Sequence, residues 1–132
     1  MQNIFNSLNK LDLGENYWNE LSSGQTPKEF KSWATKHSNQ IKKALQEVGF
    51  TSFEKVSKNH FYYSLFAYSE DIGWAYVSVQ DVRSPLTKLM IRTAKDNKDF
   101  NGGRNHWVSL TNADSFESDL RKFVGIYRGD HC

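Results

Sequence analysis

The chain has 132 residues with a net charge of +2, and its 38% hydrophobic and 24% charged residues are typical of one folded domain rather than a disordered chain. Its single cysteine, Cys132, excludes an internal disulfide and fits a reducing compartment. No stretch approaches the roughly 20 apolar residues of a membrane helix, and the first residues do not resemble a secretory signal, so we expect one cytoplasmic domain over 1–132 without membrane contact.

The N-terminal part, residues 1–50, is predicted to be helical. It opens with polar sequence and scattered apolar anchors, which predict one or two short helices and a loop. Thr26 can cap a helix, and apolar residues then recur at helical spacing over 27–48 until Gly49 supplies the left-handed end. His37 lies on the apolar side of this helix, where we expect a hydrogen-bonded interior residue rather than a ligand.

After this helix the hydrophobic period falls from about 3.6 to about 2 residues, which predicts an antiparallel sheet over residues 60–111. Turn signals divide the sheet into four predicted strands, at about 60–69, 73–83, 87–95 and 105–111. A final helix is predicted near 115–125, with Asp114 or Ser115 as its cap. Helices, then four strands, then a helix define an α+β fold.

Alternation along the strands sorts their side chains onto two faces. The apolar face matches the last helix and is the expected core; it contains Val77, Val79, Leu89, Ile91, Val108 and Leu110. The second face mixes aromatic, basic and small polar residues: Trp74, Tyr76, Ser78, Gln80, Lys88, Met90, Arg92, Asn105, Trp107 and Ser109, to which the first strand could add Tyr62, Phe66 and Tyr68. If the 27–48 helix covers this second face, its rings are ordinary core instead.

Positive charge is concentrated between Arg83 and Arg104. This segment has six basic and two acidic residues, a net of +4, whereas the rest of the chain has 11 basic and 13 acidic residues, a net of −2. Unpaired bases stack on aromatic rings while lysine and arginine contact phosphates, so the sequence predicts binding of single-stranded nucleic acid. The family resemblance described next favours DNA over RNA. The predicted contacts are Trp74, Tyr76, Lys88, Arg92, Lys95, Lys98, Arg104 and Trp107. A solvated, charged hairpin would show the same charge pattern.

Three short segments within residues 73–123 carry a family resemblance: VSVQDVR at 77–83, KLMIRT at 88–93, and GRNHWVSL at 103–110 before a capped helix. Together they resemble the transcriptional positive-coactivator family of single-stranded-DNA binders, whose fold plant Whirly proteins share. The resemblance covers about 40% of the chain and implies a curved antiparallel sheet and a module that can form a homodimer through its terminal helices. It also implies phosphate contacts at Lys88, Arg92, Lys95, Lys98 and Arg104.

The sequence departs from the family pattern at three positions. Gln80 stands where the family often has arginine, and Val82 and Lys95 stand where aromatic residues are usual. The stacking rings would therefore have to come from elsewhere, namely from Trp74, Tyr76, Phe100 or Trp107.

No catalytic motif is present: the chain has no Walker loop, no Gly-x-Ser-x-Gly and no His-Glu-x-x-His. We therefore expect no enzymatic activity, no cofactor and no metal. The enzymatic alternative is a metal-dependent nuclease built on Asp81, Asp96, Asp99 and His106, although 96–99 is more simply a polar turn. The other alternative is a protein-interaction module or inhibitor, of the kind that phages and mobile elements encode, which would use the same aromatic face.

Overall fold

The computed structural model describes residues 2–9, 28–58, 62–79, 88–99, 103–110 and 112–128. The predicted helix start at Thr26 and the residues Gln80, Asp81, Phe100 and Cys132 lie outside these ranges. The described elements are α1 (Gln2–Asn9), α2 (Lys28–Glu47), β1 (Ser52–Lys58), β2 (Tyr63–Ser69), β3 (Gly73–Val79), β4 (Lys88–Ala94), β5 (His106–Ser109) and α3 (Ala113–Arg128). No helix within these ranges is long and apolar enough to cross a bilayer.

The strands form one antiparallel sheet in the order β1-β2-β3-β4-β5, so each strand lies beside its neighbours in sequence. The predicted α+β fold with an antiparallel sheet is confirmed, and the four predicted strands correspond to β2–β5. The prediction is one strand short, because six of the seven side chains of β1 are exposed and no apolar alternation marks it. A bulge between Glu54 and Ser57, with Lys55 at a φ of 55°, interrupts its pattern further.

The predicted apolar face of the sheet is the core. Val77 lies opposite Ile91 in the register of β3 and β4, and both side chains are completely buried. Both long helices pack on this face, where Ile41 of α2 and Phe123 of α3 belong to the same hydrophobic cluster as the strand residues. The helix predicted at 27–48 therefore covers the core face and not the second face.

A buried polar pair connects α2 to β2. Nδ1 of His37 lies 2.5 Å from the hydroxyl oxygen of Tyr63, and the imidazole stacks on Trp33 with a centroid distance of 4.5 Å. The expectation of a hydrogen-bonded interior histidine is confirmed. Burial lowers the pKa of His37 from 6.5 to about 4, because an imidazolium would lose its hydration, and burial also raises the pKa of Tyr63.

The last helix is longer than predicted and has a different cap. It covers Ala113–Arg128, and Oδ1 of Asn112 accepts a hydrogen bond from the backbone N–H of Ser115 at 3.1 Å. Asn112 is thus the N-cap, and the prediction of Asp114 or Ser115 is wrong by two or three positions. Asp114 instead lies in the first turn, where its charge complements the helix dipole.

Candidate nucleic-acid interface

Strands β2, β3 and β4 arrange the rings of the second face in cross-strand pairs. Phe66 lies opposite Tyr76, and Tyr68 lies opposite Trp74, with ring centroids 5.2 Å apart in each pair. Arg92 comes next on β4, opposite Tyr76, and its guanidinium carbon is 4.7 Å from the centre of that ring. Alternation therefore sorted these residues onto the correct face, and the arginine lies over a tyrosine in a cation–π contact.

The middle of the second face is closed to solvent. Phe66, Ser78 and Met90 each expose 2% of their surface or less. Trp74 and Tyr76 are partly buried, and each forms one of the ring pairs described above. The protein therefore does not present an open surface of aromatic rings from β2 to β5. Only a part of the second face is accessible to a ligand.

Among the residues that the structure describes, the most exposed ring of the second face lies in the β4–β5 hairpin. Trp107 on β5 is 50% exposed and lies opposite Met90 of β4. Lys88 and Arg92 are two positions to either side of Met90 on the same face, so each lies diagonally across from the indole. Diagonal neighbours in an antiparallel pair are about 7–8 Å apart, within reach of long side chains. The exposed ring of Trp107 thus has one cation on either side.

Arg92 is held in position from two sides. Its Nη1 donates a hydrogen bond to Oδ1 of Asn105 at 3.3 Å, while the plane of the guanidinium group lies over Tyr76. Strand alternation placed Asn105 on the second face, but the sequence assigned no function to it. The role of Asn105 in holding Arg92 follows from the register of β4 against β5, which brings position 105 opposite position 92.

The turn that follows β4 presents Lys95 and Lys98. Oδ2 of Asp99 accepts a hydrogen bond from the backbone N–H of Lys95 at 3.0 Å, and Oδ1 of Asp96 accepts one from that of Lys98 at 2.8 Å. Both carboxylates therefore shape the turn, and that of Asp96 does so in an Asx turn, with the donor two residues on. Both lysines are exposed. Nδ2 of Asn97, between them, donates a hydrogen bond to Oε2 of Glu54 on β1 at 2.6 Å, so this turn reaches toward the edge of the sheet opposite β5 and Trp107.

His106 lies on the core face, directed away from the turn at 95–99. Its Nε2 is 2.6 Å from the hydroxyl oxygen of Tyr127 on α3. Burial is the main cause that lowers its pKa, and the positive charges of Arg104 and Lys122 lower it further. Among the residues that the structure describes, no group of three or more His, Cys, Asp or Glu side chains is arranged to hold a metal ion.

Gly103 determines how the chain enters β5 and where Arg104 emerges. Its φ is +78°, in the left-handed region, and a Cβ built on it would lie 2.2 Å from the carbonyl oxygen of Thr93. Glycine is therefore the residue that fits, since any side chain would collide with the backbone of β4. Arg104, which follows Gly103, is exposed in the connection between β4 and β5.

Replacing Gly103 with alanine should lower the free energy of unfolding by about 2 kcal/mol. The left-handed φ costs a non-glycine residue about 1–2 kcal/mol, and the overlap with Thr93 has to be relieved as well. Urea unfolding measures the change. Gly125 is the matched control: it lies within α3 with no atom within 4 Å of a built Cβ. There, alanine should stabilise by roughly 0.5–1 kcal/mol, and a loss as large as at Gly103 would contradict the close approach.

No protein-family model, curated protein or solved structure matches this chain. The observations that bear on function are consequently those of the molecule itself: an exposed tryptophan, the cations around it, and the contacts that hold them. All eight predicted site residues lie in the described part of the chain. The structure gathers Lys88, Arg92 and Trp107 closely, with Lys95, Lys98 and Arg104 in the connection between β4 and β5 and Trp74 and Tyr76 farther across the sheet.

Proposed function

We propose that the protein binds single-stranded nucleic acid, with DNA as the preferred form, along the β4–β5 hairpin. The observation that carries the proposal is the half-exposed Trp107 with Lys88 and Arg92 on its two diagonals. A base can stack on the indole while the cations contact the phosphates on either side of it. Proteins that bind single strands combine these two features, a ring for the base and a cationic track for the backbone.

The proposed track has three further cations, and the turn that holds two of them hydrogen-bonds to β1 through Asn97. Lys95, Lys98 and Arg104 are exposed in the connection between β4 and β5, and the two aspartates there accept hydrogen bonds from the backbone of the turn. In this proposal Tyr76 supports Arg92 through its ring and does not itself carry a base. The resemblance of residues 73–123 to a family of single-stranded-DNA binders supports DNA as the preferred form, and the single cysteine supports a cytoplasmic location.

Titration of a labelled oligo-dT of about 20 nucleotides, followed by fluorescence anisotropy at several salt concentrations, tests the proposal. Each phosphate contact on a single strand contributes about −0.7 to the slope of log K against log salt, so five cations predict a slope of roughly −3 to −4. The matching duplex should bind more weakly. Absence of binding at low salt, or equal affinity for the duplex, would contradict the proposal.

A protein partner is the second candidate for the same surface, because an exposed tryptophan beside an arginine is also typical of an interaction hot spot. An inhibitor carried by a phage or mobile element would use the hairpin in this way, and a second copy of the chain is another such partner. An interface built on a hot spot loses less affinity with added salt than phosphate contacts do. The salt series above therefore separates the two candidates.

A further inference from the structure

A cavity of about 560 Å³ that is largely open to solvent lies between α1 and α2, and more of its surface is apolar than polar. Because α2 packs on the core face of the sheet, this cavity is on the opposite side of the molecule from the β4–β5 hairpin. Its volume is within the range of about 300–1,000 Å³ that is usual for small-molecule sites. One residue of α1, Ser7, and six residues of α2 line it.

The charged residues of the lining have one sign in the part of the chain that the structure describes. Lys36, Lys42 and Lys43 line the cavity, and no described aspartate or glutamate does. The facing helix cannot supply one either, because α1 (Gln2–Asn9) contains no charged residue. Three like charges around one cavity repel each other, and an anion placed among them would turn this repulsion into attraction.

The rest of the lining consists of neutral groups that can donate hydrogen bonds. The amides of Asn39, Gln40 and Gln46 and the hydroxyl of Ser7 accompany the lysines. On α2, Lys36 and Lys43 are seven positions apart with the amides at 39 and 40 between them, a spacing that puts all four on one stripe of the helix. Lys42 lies beside this stripe and is partly buried.

From this lining we propose that the cavity binds a small molecule with at least two phosphate groups. Lysine is a common phosphate ligand as a compact point charge, and each phosphate carries about −1.5 to −2 charges near neutral pH. Two linked phosphates therefore match three ammonium groups, whereas one leaves an excess of positive charge. The amides and the hydroxyl would hydrogen-bond the phosphate oxygens or a polar body attached to them. The site does not depend on binding at the hairpin.

Isothermal titration calorimetry at about 0.15 M salt tests whether the cavity binds pyrophosphate, with inorganic phosphate as the comparison. One equivalent of pyrophosphate should bind, at least tenfold more tightly than inorganic phosphate. The double variant Lys36→Gln with Lys43→Gln should weaken pyrophosphate binding by at least tenfold. Lys31→Gln is the matched control, since it removes an exposed charge from the same helix outside the cavity and should change the affinity by less than twofold.

NMR chemical shifts of the backbone amides show where the ligand binds. On adding pyrophosphate, shift changes should concentrate at residues 36–46 and at Ser7. Absence of binding at millimolar pyrophosphate, equal weakening by Lys31→Gln, or shift changes concentrated in the β4–β5 hairpin would each overturn the proposal. Oligo-dT binding by the double variant should equal that of the unaltered protein, so a failure of the cavity is distinguishable from a failure of the hairpin.

Discussion

Lowering the pH from about 7 to about 4 is expected to reduce the free energy of unfolding by about 3 kcal/mol through His37 alone. Its pKa in the folded protein is about 4, against an ordinary value of 6.5. One unit of pKa difference corresponds to about 1.4 kcal/mol. As the pH falls, His37 takes up its proton in the unfolded chain before it does so in the folded protein. The free energy of unfolding therefore rises with pH between about 4 and 6.5. The contribution is complete above 6.5, declines as the pH falls and is absent below 4.

The physical reason is the position of the imidazole. His37 is only 6% exposed, stacked on Trp33 and paired with the hydroxyl of Tyr63, the first residue of β2. A neutral ring is satisfied there, whereas an imidazolium would lose its water without gaining a carboxylate. Protonation should therefore loosen the contact through which α2 meets β2.

Urea unfolding at a series of pH values measures this effect, and His37→Gln is the informative variant. A glutamine carbonyl can still accept a hydrogen bond from Tyr63 but cannot take up a proton. Its free energy of unfolding should vary by about 3 kcal/mol less than that of the unaltered protein between pH 7 and pH 4. The carboxylates titrate equally in both proteins and cancel in the comparison. Parallel stability curves for the two proteins would show that His37 does not titrate in this window.

Much of the fold is readable from the sequence because its signals are periodic. Helical spacing and strand alternation predict α2, the four strands β2–β5 and α3, and they assign Val77 and Ile91 to the buried face. The strand β1 could not be predicted in this way, since six of its seven residues are exposed and a bulge interrupts its alternation. Which side of the sheet α2 occupies also depends on packing, and no pattern within the helix decides it.

The candidate site, like the fold, could be predicted from the sequence only in part. Alternation correctly groups Tyr76, Arg92 and Trp107, because it depends on strand geometry alone. It cannot predict that Met90, between the two cations, is 2% exposed while Trp107 opposite it is 50% exposed. Accessibility is a property of the packed molecule, and here it moves the proposed interface from the whole second face to one hairpin.

Truncating the exposed indole should give the largest effect on binding. Stacking of a base on an aromatic ring is worth about 1–3 kcal/mol, so Trp107→Ala should weaken the binding of oligo-dT by about 5- to 150-fold. The slope against salt should remain unchanged, since no cation is lost. Trp107→Phe keeps a ring and should recover part of the affinity. Ile126→Ala, at an exposed apolar residue of α3, is the control and should bind like the unaltered protein.

Replacing either arginine of the hairpin should change both the affinity for oligo-dT and its dependence on salt. Arg104→Ala and Arg92→Ala should each weaken binding and reduce the magnitude of the salt slope by about 0.7, the value for one phosphate contact. Arg121→Ala on α3 removes an exposed arginine that is outside the hairpin, beside the C-terminal end of α2, and should leave the slope unchanged. Arg92 should show the greater loss of affinity of the two hairpin arginines, because Tyr76 and Asn105 hold it in place and less freedom is lost on binding.

The combination of these variants decides between ligands that the unaltered protein alone cannot distinguish. A single strand on the hairpin requires affinity to fall at Trp107 without a change in slope, and slope to fall at both arginines. If the arginines leave the slope intact while Trp107 still matters, the ring anchors a protein partner. If Lys36→Gln with Lys43→Gln flattens the slope instead, the polyanion occupies the cavity between α1 and α2. Unchanged binding in all three hairpin variants would exclude the hairpin as the nucleic-acid interface.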